Sequence, residues 1–218
     1  MCFSAVASFA ASSVLAVVGV ATVRVTKDPR QKLFASIPLL FAIQQVVEGF
    51  VWFSLQNEQY FWLEGFSVHV FLFFAQVVWP FFVPFSFLLM EKNEKRKRIL
   101  FVLTLVGAIV AGYLGICLSL YDVQASVESF HIKYDLFFPA FNLNYKGILY
   151  FVATVIPAFV SSVKWVNFFG IGILASFLVT EVFYANYLVS VWCFFAAVLS
   201  ILIYFIMRSQ GNSQVPIK

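Results

Sequence analysis

The chain alternates long apolar runs with short polar breaks. Residues 3–23, 33–55, 66–89, 99–120, 148–163, 168–187 and 189–207 are apolar over lengths near the ~20 residues that a helix needs to cross a bilayer. This pattern predicts an all-α polytopic bundle of seven transmembrane helices in one domain, residues 1–208, with a short polar tail at 209–218. Basic residues then orient it, because Lys and Arg gather in cytoplasmic loops. Arg24, Lys27, Arg30 and Lys32 fall in the first break, and Lys92, Lys95, Arg96, Lys97 and Arg98 in the third. Lys164 falls in the fifth, Arg208 and Lys218 in the tail, and the opposite side keeps Lys133 and Lys146 alone. The N-terminus is therefore expected outside and the C-terminus inside. No charge precedes Arg24, so the start lacks the positive segment of a signal peptide and the first helix is expected to be retained.

Finer spacing adds local expectations. Ser4, Ser8 and Ser12, and again Gly107, Ala111 and Gly115, recur every four residues, which lets helix backbones approach closely. Pro80 and Pro84 predict a kink or a locally opened third helix, and Pro157 a bend in the fifth. Between Asp122 and Gly147 lies the one long loop. Its stretch Phe130–Leu136 alternates apolar and polar residues with the period of a strand. Such a loop, with Phe137–Phe141 after it, either folds over the outer mouth of the bundle as a lid or rests at headgroup level.

Composition agrees with the pattern. Hydrophobic residues make up 62% of the 218, Phe contributes 29, and charged residues are 11%, against about 25% in soluble domains. The lipid bilayer is the expected surrounding of a multi-pass membrane protein, and a net charge of +4 gives no sign of nucleic-acid binding. Cys2, Cys117 and Cys193 show no CxxC spacing. The latter two are either a pair near the outer helix ends or, as is commoner, buried apolar thiols. Trp52, Trp62 and Trp192 fall near the outer boundary, where indoles anchor helices.

Against this background Glu48 stands out, since a carboxylate at membrane depth costs on the order of 3 kcal/mol even on lenient scales. Gln45, Glu48 and Trp52 share one helical face, with Gln44 a turn away; His69 and Gln76 share another, and Glu181 and Tyr184 a third. Glu48 and Glu181 each fall roughly 10 Å from an outer helix end, with His69 near the same level and Cys2 at the start of the first helix. The polar stripes are expected to converge on the bundle interior, with Cys2, Glu48, His69 and Glu181 in one outer layer. Gln44, Gln45, Trp52, Gln76 and Tyr184 would line the space around them for substrate.

Three chemistries suit that layer. Two carboxylates, an imidazole and a thiolate offer ligands to zinc or a similar divalent metal, which would activate water with Glu48 or His69 as catalytic partners. Without metal, Glu48 and His69 would exchange protons in a carrier or sensor for a proton, metal ion or small ligand. The third is a network that only ties helices together. The leading reading is a hydrolase acting on a lipid or small amphiphile, and the second is the carrier or sensor.

Met1-Cys2-Phe3-Ser4-Ala5, Gln45-x-x-Glu48-Gly49-x-x-Trp52 and Trp79-Pro80-x-x-x-Pro84 together resemble a family of uncharacterised bacterial integral membrane proteins. The resemblance implies a bacterial cytoplasmic membrane and no particular activity, and it marks Cys2, Ser4, Glu48 and Trp79 as pattern positions. The layout also resembles the superfamily of membrane hydrolases that includes alkaline ceramidases. The paired histidines of that superfamily's last helix are missing here.

Overall fold

A helix leaves its first amides without partners, and capping side chains in this chain take them up at several starts. The computed structural model describes residues 4–128, 130–138 and 143–212. Ser4 Oγ accepts from the Ala7 amide and opens α1, Ala5–Val25. Asp28 accepts from the Arg30 amide ahead of α2, Pro29–Gln56. After α3, Phe61–Met90, Asn93 Oδ1 accepts from the Lys95 and Arg96 amides at the start of α4, Glu94–Leu120. Then come α5, Leu143–Val160, α6, Lys164–Phe183, and α7, Ala185–Gln210. Among the described residues six helices are long and apolar enough to cross a membrane, and α5 contributes a shorter apolar stretch, Gly147–Val160. The chain is a helical, multi-pass membrane protein by this measure.

α1 packs along α2 through Ser8, Ser12, Leu15, Gly19 and Thr22, a buried stripe at alternating spacings of four and three. Ser12 Oγ donates to Ala42 O at 2.9 Å. A Cβ at Gly49 would lie 2.6 Å from the Phe9 ring, and one at Gly19 would lie 2.8 Å from Leu39 N. The small residues thus serve close packing.

α3 opens at Phe74–Val78, where one π turn interrupts the α-helix. Its cause is local: Pro80 has no amide hydrogen for Gln76 O and its ring crowds that carbonyl. The Trp79 amide donates instead to Phe74 O, which leaves Ala75 O without its usual donor, and the Tyr150 hydroxyl of α5 takes that carbonyl. Pro84 in turn withholds an amide from Pro80 O. That oxygen faces Gly107 of α4 so closely that a Cβ there would sit 1.9 Å away. The expected opening of the third helix is therefore present.

The long loop forms an antiparallel hairpin, β1 Val123–Glu128 with β2 His131–Leu136, in the register Val123↔Leu136 to Glu128↔His131. Alternation in Phe130–Leu136 marks β2; its partner β1 escaped the sequence reading. Phe130 sits in the turn with φ 68°. β2 turns Ile132 and Tyr134 onto the bundle, where they join Val51, Trp52, Phe71 and Cys193 in a buried cluster, with Tyr134 stacked on Phe71 at 5.0 Å. Through these two side chains the hairpin packs on this end of the helices. Burial lowers the pKa of His131 below that of a free imidazole. Residues 139–142 of the loop lie outside the described residues.

At the opposite end the basic loops are clipped together. Glu91, 5% exposed, accepts from the Lys92, Asn93 and Ser162 amides and from Ser162 Oγ. Arg96 donates to Val160 O and Ser161 O. A larger apolar core around Phe34, Phe41, Trp79, Phe87 and Trp192 lies between the two ends.

Candidate functional site: a buried carboxylate and carboxamide network beside a cavity

Four polar or amphipathic side chains of α2 point inward over about two turns of the helix. Gln44, Gln45 and Glu48 are 0% exposed and Trp52 is 1% exposed. Such groups are tolerable in a dry interior only if their hydrogen-bonding capacity is met. Gln45 Nε2 donates to Glu48 Oε2 at 2.9 Å, and Ser190 Oγ of α7 donates to Glu48 Oε1 at 2.7 Å. Gln44 is used at both ends of its amide: Trp79 Nε1 of α3 donates to its Oε1 at 2.7 Å, and its Nε2 donates to Cys193 Sγ at 3.4 Å. Trp79 is held flat against Phe41, with ring centroids 4.0 Å apart. The network thereby joins α2, α3 and α7 where the two apolar clusters meet. Gln45 Oε1, Trp52 Nε1 and Ser8 Oγ are buried without a hydrogen-bond partner.

Beside the network lies a cavity of ≈ 670 Å³ walled by the π turn of α3 and by α4, α5, α6 and α7. Cys193 and Trp192 line it, together with Tyr150, Phe177, Glu181 and Gln76. Cys193 thus belongs both to the cavity wall and, through Gln44, to the network. Gln76 is 6% exposed, and its Oε1 has no partner. Tyr150, Trp192 and Cys193 also border a smaller apolar chamber of ≈ 60 Å³ deeper in the core.

Of the four expected ligands, His69 and Glu181 do not join Glu48 in the buried network. His69 is exposed on the outside of α3, its Nδ1 2.7 Å from Gly65 O of its own helix. The straight-helix spacing that paired it with Gln76 fails because the π turn advances fewer degrees per residue and swings Gln76 back to the buried side. Glu181 is exposed at the cavity, apart from Glu48. The helix carrying it ends at Phe183, where Tyr184 leaves helical geometry with ψ 32°, so Glu181 lies two residues from that end. Tyr184 meets His131 of the hairpin edge-on at 5.2 Å. Cys2 lies outside the described residues.

The tryptophan expectation changes, and the cysteines take the commoner of their two alternatives. Of the three expected anchors, Trp52 and Trp192 are buried in the core and Trp62 is 75% exposed. Cys117 and Cys193 are free, buried thiols. Among the described residues no three His, Cys, Asp or Glu side chains are grouped to hold a metal ion. The sequence reading missed Ser190 and Cys193 as network members. Their separation by three on one face of the last helix was the available signal.

Helices and site together define a polytopic membrane protein with a sealed polar layer and a cavity beside it. The chain belongs to a family of unknown function (DUF6629), matched over residues 1–216. No curated protein and no solved structure matches it.

Proposed function

We propose that this is a binding protein or carrier for a lipid or small amphiphile, held in the cavity between α3, α5, α6 and α7. It would cross a bacterial cytoplasmic membrane seven times, with the N-terminus and hairpin outside and the basic loops inside. The observation that carries the reading is the ≈ 670 Å³ cavity itself, mostly apolar and within the usual range for ligand sites. Gln76 adds an uncharged carboxamide side chain to that wall. Binding is favoured over hydrolysis because Glu48 lies outside that wall and its oxygens are engaged by Gln45 and Ser190.

The test is saturable photolabelling of the purified chain, in a neutral glycoside detergent, by a photoreactive C12 amphiphile with an uncharged head. Labelling is expected in peptides of α5, α6 and α7, and to fall at least fivefold in Ile148→Trp, which fills the cavity from its exposed side. Labelling confined to the lipid-facing side of α4 around Ile109 and Ile116, unchanged by that substitution, would overturn the reading.

A further inference from the structure

A cavity selects its occupant by the charges it lacks as much as by those it holds. Four aromatic rings in this wall run in sequence: Phe151 and Phe177 at 4.9 Å, Phe177 and Trp192 at 5.1 Å, Trp192 and Tyr150 at 5.9 Å. Glu181 is the acidic residue of the wall, and no Lys, Arg or His lines it among the described residues. Nor does Glu181 form an ion pair with any described residue. The remaining polar members of the wall are uncharged: Gln76, Tyr150, Trp192 and Cys193.

Resting on the amphiphile reading, we infer that the cavity takes an amphiphile with an ammonium head, the positive group between Glu181 and the aromatic rings. Ring faces attract a cation through their quadrupole, most strongly where water is excluded. A carboxylate close to the end of a membrane-spanning helix is stabilised by the same charge, since opposite charges attract more strongly in a low-dielectric setting. An anionic head would meet Glu181 with no basic side chain among the described lining residues to offset it. The apolar remainder of the wall, including Leu114, Leu178 and Leu188, suits an alkyl chain.

The same head chemistry occurs on a free cationic amphiphile and on a zwitterionic lipid, and C12 probes separate them. Dodecyltrimethylammonium, dodecylphosphocholine and dodecyl sulfate are each titrated against the photolabel on the full chain. Dodecyltrimethylammonium is expected to compete at least tenfold better than dodecyl sulfate. Glu181→Gln is expected to shrink that ratio at least threefold, while Glu64→Gln, an acid of α3 outside the cavity, leaves it unchanged. Phosphocholine competing as well as trimethylammonium supports a lipid headgroup as the source; trimethylammonium alone supports a free cation. Dodecyl sulfate competing equally, with the label still saturable, overturns the ammonium head and leaves the amphiphile reading standing. Absence of saturable labelling removes both.

Discussion

The hydroxyl of Ser190 donates to Glu48 Oε1 at 2.7 Å, so a group in the last helix holds a carboxylate that no water reaches. Removing that donor leaves a buried acceptor short of a partner, while removing the carboxylate as well lifts the demand. Ser190→Ala is expected to cost about 2 kcal/mol, and Glu48→Leu with Ser190→Ala to cost less than the sum of the two single changes. Thermal unfolding of the four variants in one detergent measures the coupling; additive effects would show that the contact contributes nothing of its own.

Pro80 O and Gly107 make the tightest approach between α3 and α4. Gly107→Ala forces a methyl group into a carbonyl and is expected to destabilise by about 3 kcal/mol or to abolish folding. Gly112→Ala on the same helix meets nothing within 4 Å and is expected to stay within about 0.5 kcal/mol of the parent. Equal behaviour of the pair in a melting experiment would contradict the packing.

Tyr150 donates to Ala75 O because the π turn has freed that carbonyl. Tyr150→Phe is expected to lose about 1 kcal/mol. In a Pro80→Ala background the helix regains its amide, the turn closes and Ala75 O recovers an internal donor, so the same substitution should then cost little. A double-mutant cycle read by thermal unfolding decides it, and an undiminished cost would show that Pro80 does not hold the turn open.

Glu91 is subject to burial, which raises its pKa, and to hydrogen bonds from Asn93, Ser162 and Lys92, which outweigh burial and hold the carboxyl below its ordinary value of 4.5. A carboxyl with a depressed folded pKa binds its proton more readily when unfolded. Its contribution is therefore full above the unfolded value near 4.5 and is lost as pH falls through the lower folded one. The melting temperature should drop on acidification through this window, and Glu91→Gln should remove that part of the dependence. An unchanged acid limb in the variant would assign the effect to other carboxyls.

Much of the bundle was legible from hydropathy because each membrane helix must satisfy its own backbone bonds, which makes its length and apolarity local properties. The two prolines of α3 announced an opened helix for the same reason: a missing amide is a covalent fact. Glu48 could be singled out with Gln44 and Gln45 because burying them carries a cost wherever their helix goes. Helix phase was less secure. His69 and Gln76 parted because one π turn changed the rotation between them, and Glu181 lay nearer a helix end than hydropathy suggested, because α6 stops at Phe183.

By itself, then, the sequence determined a membrane-embedded helical bundle with an acidic group in its second helix that requires donors. Only the tertiary structure decided that Ser190 is one of those donors, that Cys193 connects Gln44 to a cavity, and that Glu181 faces that cavity rather than Glu48. The physical reason is range. Solvation cost and helix propensity act on each residue where it stands, whereas a hydrogen bond between α2 and α7 depends on how every intervening helix is rotated and stacked.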